Sequence, residues 1–299
     1  MFQRLLIPLD GSQLSEAALE PARFIAGRLG ASVTLLHVIE QSPPEEVHHQ
    51  SHLQRPGQAV AYLGDVASRQ FAAPLSAAAH VHETPVGNVA RSIVEHAQSE
   101  LQADLIIAAT HGGAGARRLL FGSIAQQVAA EASVPLLLIR PGSPQFKLKR
   151  LLLPLDPDSA HDVILPFAEE LARAFDAELE LFSVVPTAAT MGGEQAAAAN
   201  LMPGTARAYL EMRAANAARD IEAHRAALQQ AGIGATVSVA RGDPVGEIVK
   251  KAEATSADLV VLTTHGRAGA RAFWARSVAP RVVEKVFTAV LLFPLRRVG

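Results

Sequence analysis

The sequence predicts an α/β protein built from two repeated domains, each a five-stranded parallel sheet with helices on both faces. The first observation is an internal repeat, since RLLIPLD at 4–10 recurs as RLLLPLD at 150–156. The second is a regular alternation of short apolar runs with amphipathic segments. The third is that the apolar runs are nearly continuous, as in strands covered on both faces. The repeat places the domains at 1–144 and 145–299, joined by a Pro-Gly-Ser-Pro linker.

The elements follow the same order in both halves. In the first half we expect helices at 14–29, 58–79, 86–100 and 124–132, with Pro21 kinking the first of them. The last strand of each half, Leu136–Ile139 and Val290–Phe293, is an apolar edge that needs a partner. The predicted strands lie at 5–9, 33–39, 80–83, 105–109 and 136–140, then near 150–155, 178–185, 235–240, 258–263 and 289–294.

Composition excludes several classes of protein. The 299 residues are 49% hydrophobic and 19% charged, which indicates a globular chain, and the formal net charge of −2 argues against general nucleic-acid or membrane binding. The absence of cysteine excludes disulfide scaffolds, thiolate metal sites and cysteine nucleophiles. No apolar run approaches a membrane span or a signal sequence, so we expect a cytoplasmic protein.

A glycine-rich loop follows the fourth strand. It begins Thr110-His111-Gly112-Gly113 and ends at Gly122-Ser123, which opens the next helix. Glycines let backbone amides approach an anion, and a helix N-terminus presents free N–H groups, so this pattern favours phosphate binding. The alternative is a tight turn with a helix cap.

The histidines are weaker signals. His48, His49 and His52, with Glu45 and Glu46, have a spacing that could hold a metal, but nearby prolines indicate an exposed loop. We therefore assign no metal ligand and no catalytic residue. A loop-fixing role is the preferred interpretation of His111 and His265.

Together these motifs resemble the universal stress protein family, once per half. The resemblance rests on the opening strand that ends in Pro8-Leu9-Asp10, on the strand Leu35-Leu36-His37-Val38, and on His111-Gly112 followed by nine residues and then Gly122-Ser123. It implies a flavodoxin-like or Rossmann-like domain of the adenine nucleotide alpha hydrolase type. It also implies a stress-response protein that binds ATP or a related adenine nucleotide, with Mg²⁺ accompanying the phosphates.

The resemblance assigns roles to the residues that match the motif. Asp10, with Pro8 before it, would face the ribose or adenine end, and the backbone of Val38 would bind the adenine edge. Ala109 stands where the family has its first glycine, so a methyl group would lie near the ribose. The phosphates would be cradled by Gly112, Gly122 and Ser123.

The second half departs further from the family pattern. Thr263 replaces the first glycine and Arg276 replaces the last, although Gly266 and Ser277 are kept. Pro157 follows Asp156 where the first half has glycine. We therefore expect one working nucleotide site, with the second half acting structurally in an intramolecular pseudo-dimer. The edge strands also offer a contact for a homodimer.

Three functions stay open at this stage. The preferred one is a nucleotide-binding sensor or regulator with slow or no hydrolysis. A nucleotide-free interaction or scaffold protein is the alternative that Ala109, Thr263 and Arg276 favour. An adenine-nucleotide-dependent enzyme is the third, but the sequence shows no catalytic constellation for it.

Overall fold

The chain folds into two units in a computed structural model. The structure describes residues 1–47, 50–110, 123–143, 145–156, 163–191, 201–265 and 277–295. The first unit comprises 1–147 with 264–277 and 287–299, and the second comprises 148–263 with 278–286. Within the described ranges, no helix is both long and apolar enough to cross a membrane.

Five parallel strands form the centre of the first unit, in the order β5-β2-β1-β6-β7. The predicted five-stranded parallel sheet is therefore confirmed in this half. Strands β1, β6 and β7 are buried along nearly their whole length because helices cover both faces. The strands of the first half are β1 Arg4–Pro8, β2 Ser32–Glu40, β3 Glu46–Val47, β4 Gln50–Ser51, β5 Ala77–Val86, β6 Leu105–Ala109 and β7 Leu136–Ile139.

Four α-helices connect these strands. A 3₁₀ turn at Ser15–Ala18 leads into α1, and a π-helical turn at His96–Glu100 extends α3. The helices are α1 Leu19–Leu29, α2 Pro56–Gln70, α3 Val89–Glu95 and α4 Ser123–Glu131.

Pro21 does not kink the interior of a helix, as the sequence pattern suggested. The segment from Ser15 changes from a 3₁₀ turn to α-helix at Leu19, which places Pro21 in the first turn of α1. First-turn amides have no partner inside the helix, so a proline there loses no hydrogen bond. Pro166 lies in the first turn of its own helix in the same way.

The second unit repeats the parallel arrangement with the order β10-β9-β8-β11. Leu151, Leu152 and Leu153 on the central strand β8 are fully buried. The strands are β8 Arg150–Leu155, β9 Glu178–Val185, β10 Ala235–Arg241 and β11 Leu259–His265, and the helices are α5 Leu165–Phe175, α6 Pro203–Gln230, α7 Pro244–Ala254 and α8 Val278–Lys285.

The last strand of the chain, β12 Ala289–Leu295, belongs to the first unit. It pairs antiparallel with β7, with Val290 opposite Leu138 and Leu292 opposite Leu136. All four of these residues are buried. These are the two strands predicted as apolar edges, and each covers the other's unpaired backbone groups.

A half-buried ion pair joins β9, β10 and α7 in the second unit. Glu180 Oε1 accepts hydrogen bonds from Lys251 Nζ at 2.7 Å and from Ser238 Oγ at 2.7 Å, and Thr236 donates to Oε2. Burial alone would raise the pKa of Glu180, but the bonds from Lys251, Thr236 and Ser238 together outweigh it and hold the pKa below its usual value.

Glu180→Gln is expected to destabilise the protein by about 1–2 kcal/mol at pH 7, because Lys251 loses its charged partner. The lowered pKa means that Glu180 stabilises the fold above its unfolded-state pKa, and that this contribution disappears as the pH falls through the folded-state value. Thermal unfolding of the full chain at pH 7 and pH 4 measures both effects. Glu178→Gln, at an exposed position on the same strand, is the control. Equal losses for the two variants would contradict the prediction.

Candidate functional site

A cleft opens at the carboxyl ends of β1, β2 and β6 in the first unit. In this sheet the chain runs outward from β1 through β2 to β5, then returns to place β6 on the other side of β1. Such a reversal is the switch point at which open α/β sheets bind ligands. The cleft contains about 650 Å³ of empty space, counting the part open to solvent.

The walls of the cleft are mostly apolar. Helices α3 and α4 flank it through Val89, Ile93, Ile124 and Val128, while Ala108 and Ala109 line it from the end of β6. Polar side chains are few, as in sites for small molecules. They are Asp10, Ser15, His37, Glu40 and His52.

Asp10 closes a turn directly after β1. Its Oδ1 accepts hydrogen bonds from the Ser12 backbone N–H at 2.9 Å and from the Ser12 hydroxyl at 2.6 Å. Gly11 between them has φ +90°, a conformation that residues with a Cβ rarely adopt. The Asp-Gly-Ser sequence therefore folds locally into an Asx turn that holds the carboxylate at the cleft.

His37 joins three segments around the cleft. Its ring is almost fully buried, with Nδ1 2.7 Å from the Leu9 carbonyl oxygen and Nε2 3.2 Å from that of Leu53. The shorter distance indicates that Nδ1–H donates to Leu9. His37 thus ties the end of β1 to β2 through the hydrogen bond to Leu9, and its ring contacts the segment before α2. The sequence singled it out as part of a strand motif, without a role.

His52 is buried, although the sequence indicated an exposed loop. The antiparallel pair β3–β4 orders this segment, and the His52 amide donates to the Glu45 carbonyl at 3.1 Å. The side chain is 3% exposed, and Nε2 lies 3.8 Å from Glu40 Oε1. Its Nδ1 finds no hydrogen-bond partner in the described part of the chain. A buried polar atom without a partner is costly, and here it belongs to a residue that lines the cleft.

Tyr62 on α2 lies behind the Asp10 turn. Its hydroxyl donates to Glu16 Oε1 at 3.1 Å. Burial raises the pKa of Tyr62, and the Glu16 and Asp10 carboxylates raise it further. The phenol stays protonated, so it acts as a donor that positions Glu16 rather than as a base.

Of the seven residues that the sequence marked for nucleotide binding, four lie together on the cleft: Pro8, Asp10, Val38 and Ala109. Ser123 is the first residue of α4, whose next two residues line the cleft. Gly112 and Gly122 lie outside the described residues, as do His48 and His49. The same holds for Pro157, Gly266 and Arg276 of the second half.

A doubly wound parallel domain, repeated in tandem, with a cleft at its strand switch point defines the class of protein. The model of the universal stress protein family matches the chain twice, over residues 1–140 and 147–294. The chain therefore belongs to the universal stress protein family and carries two copies of its domain.

Relatives and solved structures agree with this assignment. Universal stress protein MJ0531 of Methanocaldococcus jannaschii is 29% identical over 143 residues, which are 47% of this chain and 83% of that protein. A universal stress protein from Archaeoglobus fulgidus superimposes with a TM-score of 0.74 at 18% identity, covering 97% of this chain and 98% of the other. A Pseudomonas aeruginosa structure gives 0.69 at 18% identity, covering 98% and 93%.

Proposed function

We propose that this protein binds ATP or a related adenine nucleotide in the cleft of its first domain and acts as a stress-response sensor or regulator with slow or no hydrolysis. The observation that carries the proposal is the convergence of Pro8, Asp10, Val38 and Ala109 on one cleft at the strand switch point. These residues come from three different strand ends, so the sequence motif and the cleft support each other.

The apolar part of the cleft suits a purine base. Val38 lies at the end of β2 and is nearly buried, so its backbone can bond the edge of a ring held against Val89 and Ile93. His52 lines the same cleft, and its Nδ1 has no partner among the described residues. A base nitrogen or amino group there would satisfy it.

The polar part of the cleft suits the ribose and phosphates. Asp10 presents a carboxylate that can accept hydrogen bonds from ribose hydroxyls. Helix α4 begins at Ser123 beside the cleft, and a helix N-terminus stabilises anionic phosphates. Gly112 and Gly122 would complete the phosphate loop, and Mg²⁺ would accompany the phosphates of ATP.

Isothermal titration calorimetry with ATP tests the proposal. A portion of the purified full chain is denatured and analysed for co-purified nucleotide. The remaining protein is freed of nucleotide, by dialysis or by unfolding and refolding, before the titration. We expect saturable binding with one site per chain, and stronger binding of ATP than of GTP. No binding at millimolar ATP by nucleotide-free protein would overturn the proposal and favour the scaffold function.

Asp10→Asn is expected to weaken ATP binding about tenfold, equivalent to roughly 1.4 kcal/mol. Asparagine keeps an Oδ1 acceptor for Ser12, so the turn is retained while the charge on the ribose side is removed. Calorimetric titration of the variant measures the change. Asp104→Asn, which alters a carboxylate at the opposite end of β1, is the control. Unchanged affinity in Asp10→Asn would remove Asp10 from the site.

A further inference from the structure

A second cluster of polar side chains lies at the edge of the first-unit sheet. His80 and His82 are two residues apart on the edge strand β5, so their side chains share one face. His96 and Glu100 lie in the π-helical turn that extends α3, and such turns are frequent at functional sites. The three imidazoles meet, with the rings of His80 and His82 centred 5.0 and 4.9 Å from that of His96.

The protonation of His96 is set by a backbone contact. Its Nδ1 lies 2.8 Å from the Ser92 carbonyl oxygen, which can only accept, so Nδ1 carries the proton. With the proton on Nδ1, the lone pair of Nε2 in a neutral ring can bind a metal. A histidine that donates one nitrogen to a backbone carbonyl and presents the other as a lone pair is the arrangement seen in metal sites.

The outer nitrogens of two histidines face one carboxylate. His96 Nε2 lies 3.3 Å from Glu100 Oε2, and His80 Nε2 lies 3.7 Å from Glu100 Oε1. Imidazole nitrogens and a carboxylate gathered in this way can share a divalent cation. His96 is buried on one side, which limits how far its ring can turn away.

The spacing of these atoms fits a small divalent ion. The three ligand atoms of His80, His96 and Glu100 lie within 4.8 Å of one another. Zinc ligands at roughly 2.0–2.1 Å in a tetrahedron are about 3.3 Å apart, which matches the 3.3 Å between His96 Nε2 and Glu100 Oε2. His80 and Glu100 are partly exposed, so a modest side-chain rotation can bring His80 Nε2 to the same ion.

We propose that His80, His96 and Glu100 form a zinc site with three protein ligands and a fourth position open to solvent. Two imidazole nitrogens and one carboxylate oxygen are a donor set that zinc accepts. The ring of His82 contacts that of His96 edge-on, and His82 lies outside the ligand set. The site is separate from the nucleotide proposal, although the start of α3 also lines the cleft.

Titration of the tag-free full chain with Zn²⁺, against a chromogenic chelator, tests this site. We expect one tight equivalent per chain with Kd below about 1 µM. Co²⁺ in place of Zn²⁺ should give the intense visible absorption of a four-coordinate ion. Glu100→Gln and His80→Asn alter exposed or half-exposed side chains, so the fold should survive, and each is expected to raise Kd at least about tenfold.

His82→Asn is the matched control, because it removes a neighbouring imidazole outside the ligand set. We expect it to retain the cobalt spectrum and to bind Zn²⁺ within about threefold of the parent chain. Circular dichroism confirms that each variant is folded. The proposal would be overturned if the parent chain bound no tight equivalent of Zn²⁺, or if the parent and Glu100→Gln bound Zn²⁺ equally. The contact between His96 and Glu100 would then be an ion pair within the protein.

Discussion

Ala109→Phe is expected to lower the affinity for ATP about 100-fold, equivalent to roughly 2.8 kcal/mol. Ala109 is the last residue of β6, is 6% exposed and lines the cleft beside Ala108. A phenyl ring there would occupy space that the proposed ligand needs, because the residue at this position lines the cleft. Calorimetric titration of parent and variant measures the change, with thermal unfolding to confirm that the variant folds.

Ala109→Gly is the informative partner of this variant. It restores the glycine that the family has at this position and deletes one methyl group from the floor of the cleft. We expect affinity equal to that of the parent or up to about tenfold higher. If Ala109→Phe binds ATP as tightly as the parent, the nucleotide lies elsewhere. If neither parent nor Ala109→Gly binds, the scaffold function is the better account of the first domain.

The parallel sheets could be predicted from sequence because their strands are buried on both faces. Leu105–Ala109 stands out as a continuous apolar run and is strand β6 with the same bounds. Strand β5 is harder to predict from the sequence, and the predicted strand at 80–83 is shorter than the observed Ala77–Val86. As the edge of the sheet it is half-exposed and carries histidines, alanines and a proline, so its apolar pattern is weak.

The polar part of the site was less accessible to sequence reasoning. Ala109 is the last residue of β6 and Asp10 comes two residues after β1, so topology places them at the cleft. His52 comes from a proline-flanked segment whose burial depends on the β3–β4 pair and on Glu40. The cluster of His80, His96 and Glu100 joins an edge strand to a π-helical turn, and no spacing in one segment reveals it. Contacts between elements far apart in the chain leave no local pattern.

Gly11→Ala is expected to destabilise the protein by about 2–4 kcal/mol. Two costs combine: the backbone at φ +90° is unfavourable for alanine, and a Cβ would lie 2.8 Å from Leu53 Cγ. Leu53 lies beside the buried ring of His37, with its carbonyl oxygen 3.2 Å from Nε2. The strain acts on the turn that carries Asp10, so ATP affinity should fall as well. Thermal unfolding and calorimetric titration of the full chain measure the two effects.

Gly30→Ala separates the cost of the backbone conformation from the cost of the contact with Leu53. Gly30 ends α1 with φ +67°, and a Cβ there would meet nothing within 4 Å. Gly30→Ala should therefore lower the free energy of unfolding by about 1 kcal/mol and leave the affinity for ATP unchanged. The additional loss of stability in Gly11→Ala then measures the contact with Leu53. The double variant Gly11→Ala/Leu53→Ala should recover part of that additional loss. If Gly11→Ala and Gly30→Ala are equally stable and bind ATP equally, the contact with Leu53 does not matter. The backbone conformation alone then accounts for the requirement for glycine at position 11.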